Sequence, residues 1–69
     1  MTITLNGDRY QIEGVAGPLT VADLLTHLAI DARRVAVEHN LVVLKRTAFE
    51  DTAITDGDTV EIVNFVGGG

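Results

Sequence analysis

A pair of turn residues, Asn6-Gly7, stands between two runs in which apolar and polar side chains alternate. The runs cover residues 3–6 and 10–13. Alternation with a period of two is typical of a half-buried strand, and an Asn-Gly pair favours the tight turn that joins antiparallel strands. The sequence therefore predicts a β-hairpin in which each strand places two apolar side chains on one face.

The next periodic segment changes to the spacing of a helix. Thr20, with Asp23 three positions later, resembles the capping box that begins many helices. We predict one helix that starts after Thr20 and ends near Ala29 or Ile30. Its apolar stripe consists of residues at i, i+3, i+4 and i+7, the spacing of an amphipathic helix: Val21, Leu24, Leu25 and Leu28.

Three more strands are predicted after the helix, at residues 35–39, 41–44 and 59–65. Asn40 marks a turn between the first two, and Asp56-Gly57-Asp58 marks a turn before the last. The stretch 45–55 has no regular period. We expect Phe49 and Ile54 to anchor this irregular crossover in the core.

Length and composition limit the chain to one small domain. A chain of 69 residues buries only about 60% of the surface that its unfolded form exposes. No cysteine is present to form a disulfide, and the soft metal ligands are limited to His27 and His39, too few for a structural zinc site. The core must therefore be aliphatic, and 46% of the residues are hydrophobic.

The order of elements predicts the fold class. A hairpin, a helix, two strands, an irregular crossover and a final strand make an α+β domain with one helix packed on a mixed sheet. We expect the first and last strands to lie side by side and parallel, which is the ubiquitin-like β-grasp arrangement. Another small sandwich of a mixed sheet and one helix is the alternative.

Charge and hydropathy argue against several classes of function. The formal net charge is −5, and nucleic-acid binding is not expected because the basic residues form no stripe. A membrane protein is not expected either, since no apolar run approaches the ~20 residues of a membrane span. The N-terminus lacks the pattern of a signal peptide. The lack of cysteine fits a reducing, cytoplasmic location.

The three glycines at the end of the sequence are the first candidate site. Val66 is the last residue suited to a strand, and Gly67, Gly68 and Gly69 follow it directly. We predict a β-grasp domain at residues 1–66 and a flexible tail at 67–69, since glycine offers no side chain for packing. Three extended residues reach about 10 Å. Such a tail could enter a narrow slot in an enzyme, where the Gly69 carboxylate could be activated as an acyl-adenylate. A linker of no function is the alternative.

The outer face of the last strand is the second candidate site. Val60 and Ile62 share a phase and are expected to face the helix. Val63 and Phe65 then point to the opposite side and, with Val66, form an exposed apolar patch beside the tail. Exposed apolar patches often bind partners. The alternative is a bulge or strand end that turns Phe65 back under a loop.

Catalysis by the chain itself is not expected. Ser and Cys are absent, the threonines have no histidine at motif spacing, and no glycine-rich loop opens a helix. His27 is expected on the solvent side of the helix, and His39 at a strand end. Both are interpreted as ordinary surface residues, and we predict that the chain binds no cofactor.

The sequence resembles the ThiS-type sulfur carriers of thiamine biosynthesis. The resemblance covers the whole chain and is carried best by residues 56–69, in which an Asp-Gly-Asp turn leads into a strand that ends in glycines. Further similar segments are 3–7, 20–25 and 35–40. One departure is Val43-Leu44-Lys45-Arg46, where family members commonly have a Val-Pro-Arg-like segment. No partner contact is therefore assigned there.

The resemblance implies a cycle that acts on Gly69. A ThiF-like, E1-like adenylating enzyme would use ATP to activate the Gly69 carboxylate, with Gly67 and Gly68 threaded into the enzyme. Sulfur from a persulfide-bearing protein would then convert the carboxylate to a thiocarboxylate. A ThiG-like thiazole synthase would take up that sulfur. Two alternatives are a molybdopterin-type sulfur carrier and a ubiquitin-like protein modifier.

Overall fold

The computed structural model describes residues 1–15 and 18–65. This part of the chain contains one helix, α1 (Val21–His27), and two short 3₁₀ turns, Ala32–Arg34 and Arg46–Ala48. It also contains seven strands: β1 (Thr2–Leu5), β2 (Asp8–Gln11), β3 (Leu19–Thr20), β4 (Val35–His39), β5 (Val42–Leu44), β6 (Ala53–Ile54) and β7 (Thr59–Asn64).

Five strands form a mixed sheet in the order β2-β1-β7-β4-β5. The neighbours β1 and β7 are parallel, with Leu5 opposite Val60, and the other pairs are antiparallel. Helix α1 covers one face of this sheet. This confirms the predicted parallel pairing of the first and last strands, and the ubiquitin-like β-grasp arrangement of an α+β domain.

The core lies between α1 and the sheet and is aliphatic apart from one phenylalanine. Phe49 and Ile54, the predicted anchors of the crossover, are both buried. Within the described residues no polar or charged side chain belongs to the buried set. The core contains Ile3, Ile12, Val21, Leu24, Leu25, Val35, Val37, Phe49, Ile54 and Val60.

The capping box at the start of α1 is confirmed. The Thr20 hydroxyl accepts a hydrogen bond from the Asp23 amide at 3.0 Å, and the Asp23 carboxylate accepts one from the Thr20 amide at 3.1 Å. The predicted end is wrong, because the helix stops at His27. Ala29 has a φ of 58°, and the Ile30 amide donates back to the Leu25 carbonyl. These features define a Schellman-type C-cap, here formed without glycine.

The irregular crossover contains a second, two-stranded sheet that the sequence pattern did not reveal. Strands β3 and β6 pair antiparallel, with Leu19 opposite Ile54 and Thr20 opposite Ala53. Each strand has only two residues, so no alternation can be read from it. This pairing connects the residues just before α1 to the segment that precedes β7.

Both hairpins of the main sheet turn through two residues with positive φ. Asn6 and Gly7 have φ values of 50° and 85°, as the predicted Asn-Gly turn requires. Asn40 and Leu41 have values of 47° and 71°. The predicted strand 41–44 therefore begins one residue too early, because Leu41 belongs to the turn.

Replacing Leu41 with glycine is expected to stabilise the fold. The side chain is 85% exposed, so its removal costs little packing. Leucine at positive φ is strained by roughly 1–2 kcal/mol, whereas glycine loses roughly 0.5–1 kcal/mol of chain entropy on folding. We expect L41G to raise the free energy of unfolding in urea by about 0.5 kcal/mol. The control V43G, at an exposed β5 position without positive φ, should lower it.

Candidate functional site

Strand β7 connects the core to the predicted patch. It lies at the centre of the sheet, and its side chains alternate between the two faces. Val60 is buried beneath α1, and Ile62 packs at the edge of the core. Val63 and Phe65 point to the other face and are 61% and 55% exposed. The predicted division of this strand into an inner and an outer face is confirmed.

The two strands beside β7 extend the apolar surface. Ala36 of β4 lies opposite Val63, and Val43 of β5 lies one strand further out and is exposed. A depression of about 90 Å³ lies between Val43 and Val63 and is also lined by Ala36. We call Ala36, Val43, Val63 and Phe65 the outer patch. Exposed apolar residues grouped on one face often mark a partner site.

The backbone holds Phe65 in line with β7. The Phe65 amide donates a hydrogen bond to the Arg34 carbonyl at 2.9 Å, which continues the pairing with the β4 side beyond Asn64. A strand end that turns Phe65 back under a loop is therefore wrong. The aromatic ring stays on the open face of the sheet.

The remaining predicted site residues lie outside the described residues. They are Val66, which the sequence analysis assigned to the apolar patch, and the tail residues Gly67, Gly68 and Gly69. In the sequence they follow Phe65 without a spacer. The described geometry therefore ends at the outer patch, one residue before Val66.

A polar cluster fixes the opposite end of β7. His39 Nε2 lies 2.7 Å from the Asp58 carboxylate, which also accepts hydrogen bonds from the Thr55 amide at 2.9 Å and the Thr55 hydroxyl at 3.0 Å. The Asn40 side chain accepts a hydrogen bond from the Thr59 amide at 2.8 Å. The cluster joins the β4–β5 turn to the turn before β7.

His39 is therefore not the ordinary surface residue that the sequence suggested. Its side chain is 17% exposed, and that of Asp58 is 14% exposed. The pair is separated by 19 positions in the sequence, so no local motif connects the two residues. The Asp-Gly-Asp turn was the available signal, because aspartate in turns commonly binds nearby backbone amides.

The environment of Asp58 favours its ionised form. Burial by itself raises the pKa of this carboxyl, but the hydrogen bonds from Thr55, His39 and Asn40 outweigh it and lower the pKa from 3.8 to about 2. A carboxyl whose pKa is lower in the folded state stabilises the fold above its unfolded pKa. That contribution is lost as the pH falls through about 2.

The substitution D58N is expected to destabilise the fold in a pH-dependent way. At about pH 7 the free energy of unfolding should fall by on the order of 1 kcal/mol, allowing for solvent screening. The difference from the unmodified chain should shrink as the pH falls from about 4 to about 2. Urea unfolding across this range measures it, with D51N as the control for an exposed carboxylate. A difference that stays constant over the range contradicts the role of the charge.

The described residues contain little that suggests catalysis. His27 is exposed on α1, with Nε2 at 3.2 Å from the Tyr10 hydroxyl. In residues 1–15 and 18–65 no three potential metal ligands come together. Over the same ranges, no helix has the length and apolarity needed to cross a membrane. The feature that stands out is the outer patch.

Comparison with a family model identifies what the chain is similar to. A model of the ThiS family matches residues 3–69, which include the patch and all three terminal glycines. The fold is similar to the crystal structure of a thiamine biosynthesis protein, ThiS, from Geobacter metallireducens. The TM-score is 0.86 at 43% identity, with all of both chains covered.

Two curated relatives differ greatly in length. The sulfur carrier protein ThiS of Bacillus subtilis is 36% identical over 50 residues, which cover 72% of this chain and 76% of the relative. A thiazole synthase of Paramagnetospirillum magneticum is 39% identical over all 69 residues. The chain spans only 20% of that synthase, so the similarity concerns one part of a longer protein.

Proposed function

Because the chain belongs to the ThiS family, we propose that it is a sulfur carrier of thiamine biosynthesis whose working group is the Gly69 carboxylate. The supporting observation is the family match over residues 3–69, which includes the three glycines that follow Phe65 and Val66 beyond the end of β7. The folded domain is the part of the chain that the enzymes bind. The chain itself performs no catalysis in this proposal.

The proposed chemistry begins with activation of the carboxylate. A ThiF-like adenylating enzyme joins the Gly69 carboxylate to the α-phosphate of ATP and releases pyrophosphate. The terminal sulfur of a protein persulfide attacks the acyl carbon, and AMP leaves. A second thiol then cleaves the resulting acyl disulfide, which yields the Gly69 thiocarboxylate and an ordinary disulfide. Oxidation of the second thiol balances the reduction at sulfur.

The bare backbone of the tail suits this chemistry. The acyl carbon must reach an active site that excludes water, since water would hydrolyse the adenylate. Gly67 and Gly68 carry no side chain to collide with the walls of a narrow channel. We propose that residues 1–66 act as the bound domain and that residues 67–69 enter the enzyme.

The proposed partners both use the surface beside the tail. A thiazole synthase of the ThiG type must reach the same thiocarboxylate that the adenylating enzyme helped to form. Both enzymes would therefore contact Val63, Phe65 and Val66, and would bind in turn rather than together. The similarity to one part of a thiazole synthase chain supports a direct contact with that enzyme. The need for ATP and reduced thiols supports a cytoplasmic location for this cycle.

The proposal can be tested by supplying the thiocarboxylate form to candidate acceptors. Purified thiocarboxylate chain should support thiazole formation by thiazole synthase and should return to the carboxylate form. Sulfur transfer to a molybdopterin synthase instead would favour the alternative carrier role. Lysines that bear a Gly-Gly remnant in cell extracts would favour a protein modifier. Either result, without thiazole formation, contradicts the proposal.

A further inference from the structure

Two glutamates lie directly opposite each other on the open face of the sheet. The register of β4 and β7 pairs Glu38 with Glu61. Directly opposed residues have Cβ atoms about 5 Å apart, and like charges in such positions destabilise a sheet. Glu38 is half-buried and Glu61 is exposed. The free protein thus keeps an unfavourable charge pair at this position.

The acidic pair and the outer patch form one surface. Both glutamates line the depression between Val43 and Val63. Val43 lies directly opposite Glu38 on β5, and Val63 follows Glu61 by two residues on the same face. The repulsion is therefore located at the centre of the proposed contact surface.

The described basic residues form no ion pair with these two glutamates. The ion pairs within residues 1–15 and 18–65 join Arg33 and Arg34 to Asp31, and His39 to Asp58. Arg9 projects from the same face but belongs to β2, where it lies opposite Thr4 of β1. Strand β1 separates β2 from β7. Neither glutamate has a cationic group within 4.0 Å in these ranges.

We propose that Glu38 and Glu61 together bind one arginine of the ThiF-like adenylating enzyme. Apolar residues of that enzyme would cover Val43, Val63 and Phe65 around the arginine. The identity of the partner rests on the proposed function. A guanidinium is planar and has five N–H donors, so it can bridge two carboxylates. A second copy of this chain is disfavoured as the occupant, because it would bring two more glutamates to the same surface.

The arrangement predicts opposite effects on the free protein and on the complex. Neutralising one glutamate relieves the repulsion in the free chain, so its thermal unfolding midpoint should rise. The same change removes one of two charge-assisted contacts to the arginine, so partner binding should weaken. A purely structural role for either residue would not produce this combination.

The test uses E38Q, E61Q and the double variant E38Q/E61Q, which keep side-chain size and remove charge. Binding to the ThiF-like adenylating enzyme is measured by calorimetry at low and high salt. We expect each single variant to bind roughly tenfold more weakly at low salt, and the double variant to show a much smaller salt dependence. E50Q, an exposed glutamate outside this surface, is the matched control and should bind as the unmodified chain does.

The outcomes separate this inference from the proposed function. If the double variant binds as tightly as the unmodified chain at low salt, the arginine contact is wrong. A different outcome is that the unmodified chain forms a dimer in sedimentation experiments and that E38Q/E61Q strengthens this dimer. In that case a second copy of the chain occupies this face, and the proposed arginine of the enzyme is wrong. The carrier proposal is judged separately, by whether the unmodified chain gains sulfur. It survives either failure if the thiocarboxylate still forms.

Discussion

A chain that lacks Gly68 and Gly69 is expected to form no thiocarboxylate, although it should fold as stably as the full chain. The described core is built from residues between Ile3 and Val60, and β7 ends at Asn64. The truncation moves the terminal carboxylate back by about 7 Å of extended backbone. The carboxylate then cannot reach the site of adenylation while the outer patch stays bound.

The measurement is ATP–pyrophosphate exchange by the adenylating enzyme, with the urea unfolding curve as the control for folding. Exchange should fall by a factor on the order of 10² or more, since a displacement of even 1 Å at a reacting centre can cost that much. The variant G68V keeps the length and adds a side chain within the tail. It should lose activity too if the channel accepts only bare backbone. Full exchange by the truncated chain would mean that the tail is an incidental linker.

The substitution L24A is expected to remove a large share of the free energy of unfolding. Leu24 has no exposed surface and lies in the middle of α1. Alanine preserves helix propensity, so the cost arises from lost apolar contact and from the cavity, together about 2–5 kcal/mol. The total stability of a 69-residue domain is about 3–10 kcal/mol. One such change therefore removes a large share of the total.

Circular dichroism during thermal and urea unfolding measures this effect. The matched control is L41A, which removes the same atoms from a side chain that is 85% exposed. Exposed substitutions usually change stability by less than about 0.5 kcal/mol. If L24A and L41A lost equal amounts of unfolding free energy, the account of the core would be contradicted.

The strands and the helix could be predicted because their patterns are local. The apolar stripe that contains Leu24, the capping box at Thr20 and the Asn6-Gly7 turn each depend on residues a few positions apart. The alternation of β7 was sufficient to place Val63 and Phe65 on the open face. The parallel pairing of β1 and β7 followed from the order of elements.

The features that were missed depend on long-range contacts or on strained backbone. The β3–β6 sheet has too few residues to show a period, and the His39–Asp58 pair joins two turns far apart in the sequence. The helix ends early through a positive φ at Ala29, a conformation that usually requires glycine. Leu41 in the second hairpin turn was missed for the same reason.

The opposition of Glu38 and Glu61 also could not be predicted from the sequence, because it depends on the register of β4 against β7. A shift of one residue between the two strands would have placed the two glutamates on opposite faces of the sheet. The apolar part of the candidate site was thus predictable from one strand. Its charged part required the assembled sheet.

The central claim is that Gly69 carries sulfur, and intact-mass spectrometry tests it most directly. The full chain is incubated with a ThiF-like adenylating enzyme, ATP and a persulfide-bearing sulfur donor, and fragmentation then locates any added mass. The account predicts a gain equal to the exchange of one oxygen for sulfur, confined to Gly69 and absent without ATP. An unchanged mass, with an enzyme that loads sulfur onto another ThiS protein in the same assay, would contradict the account.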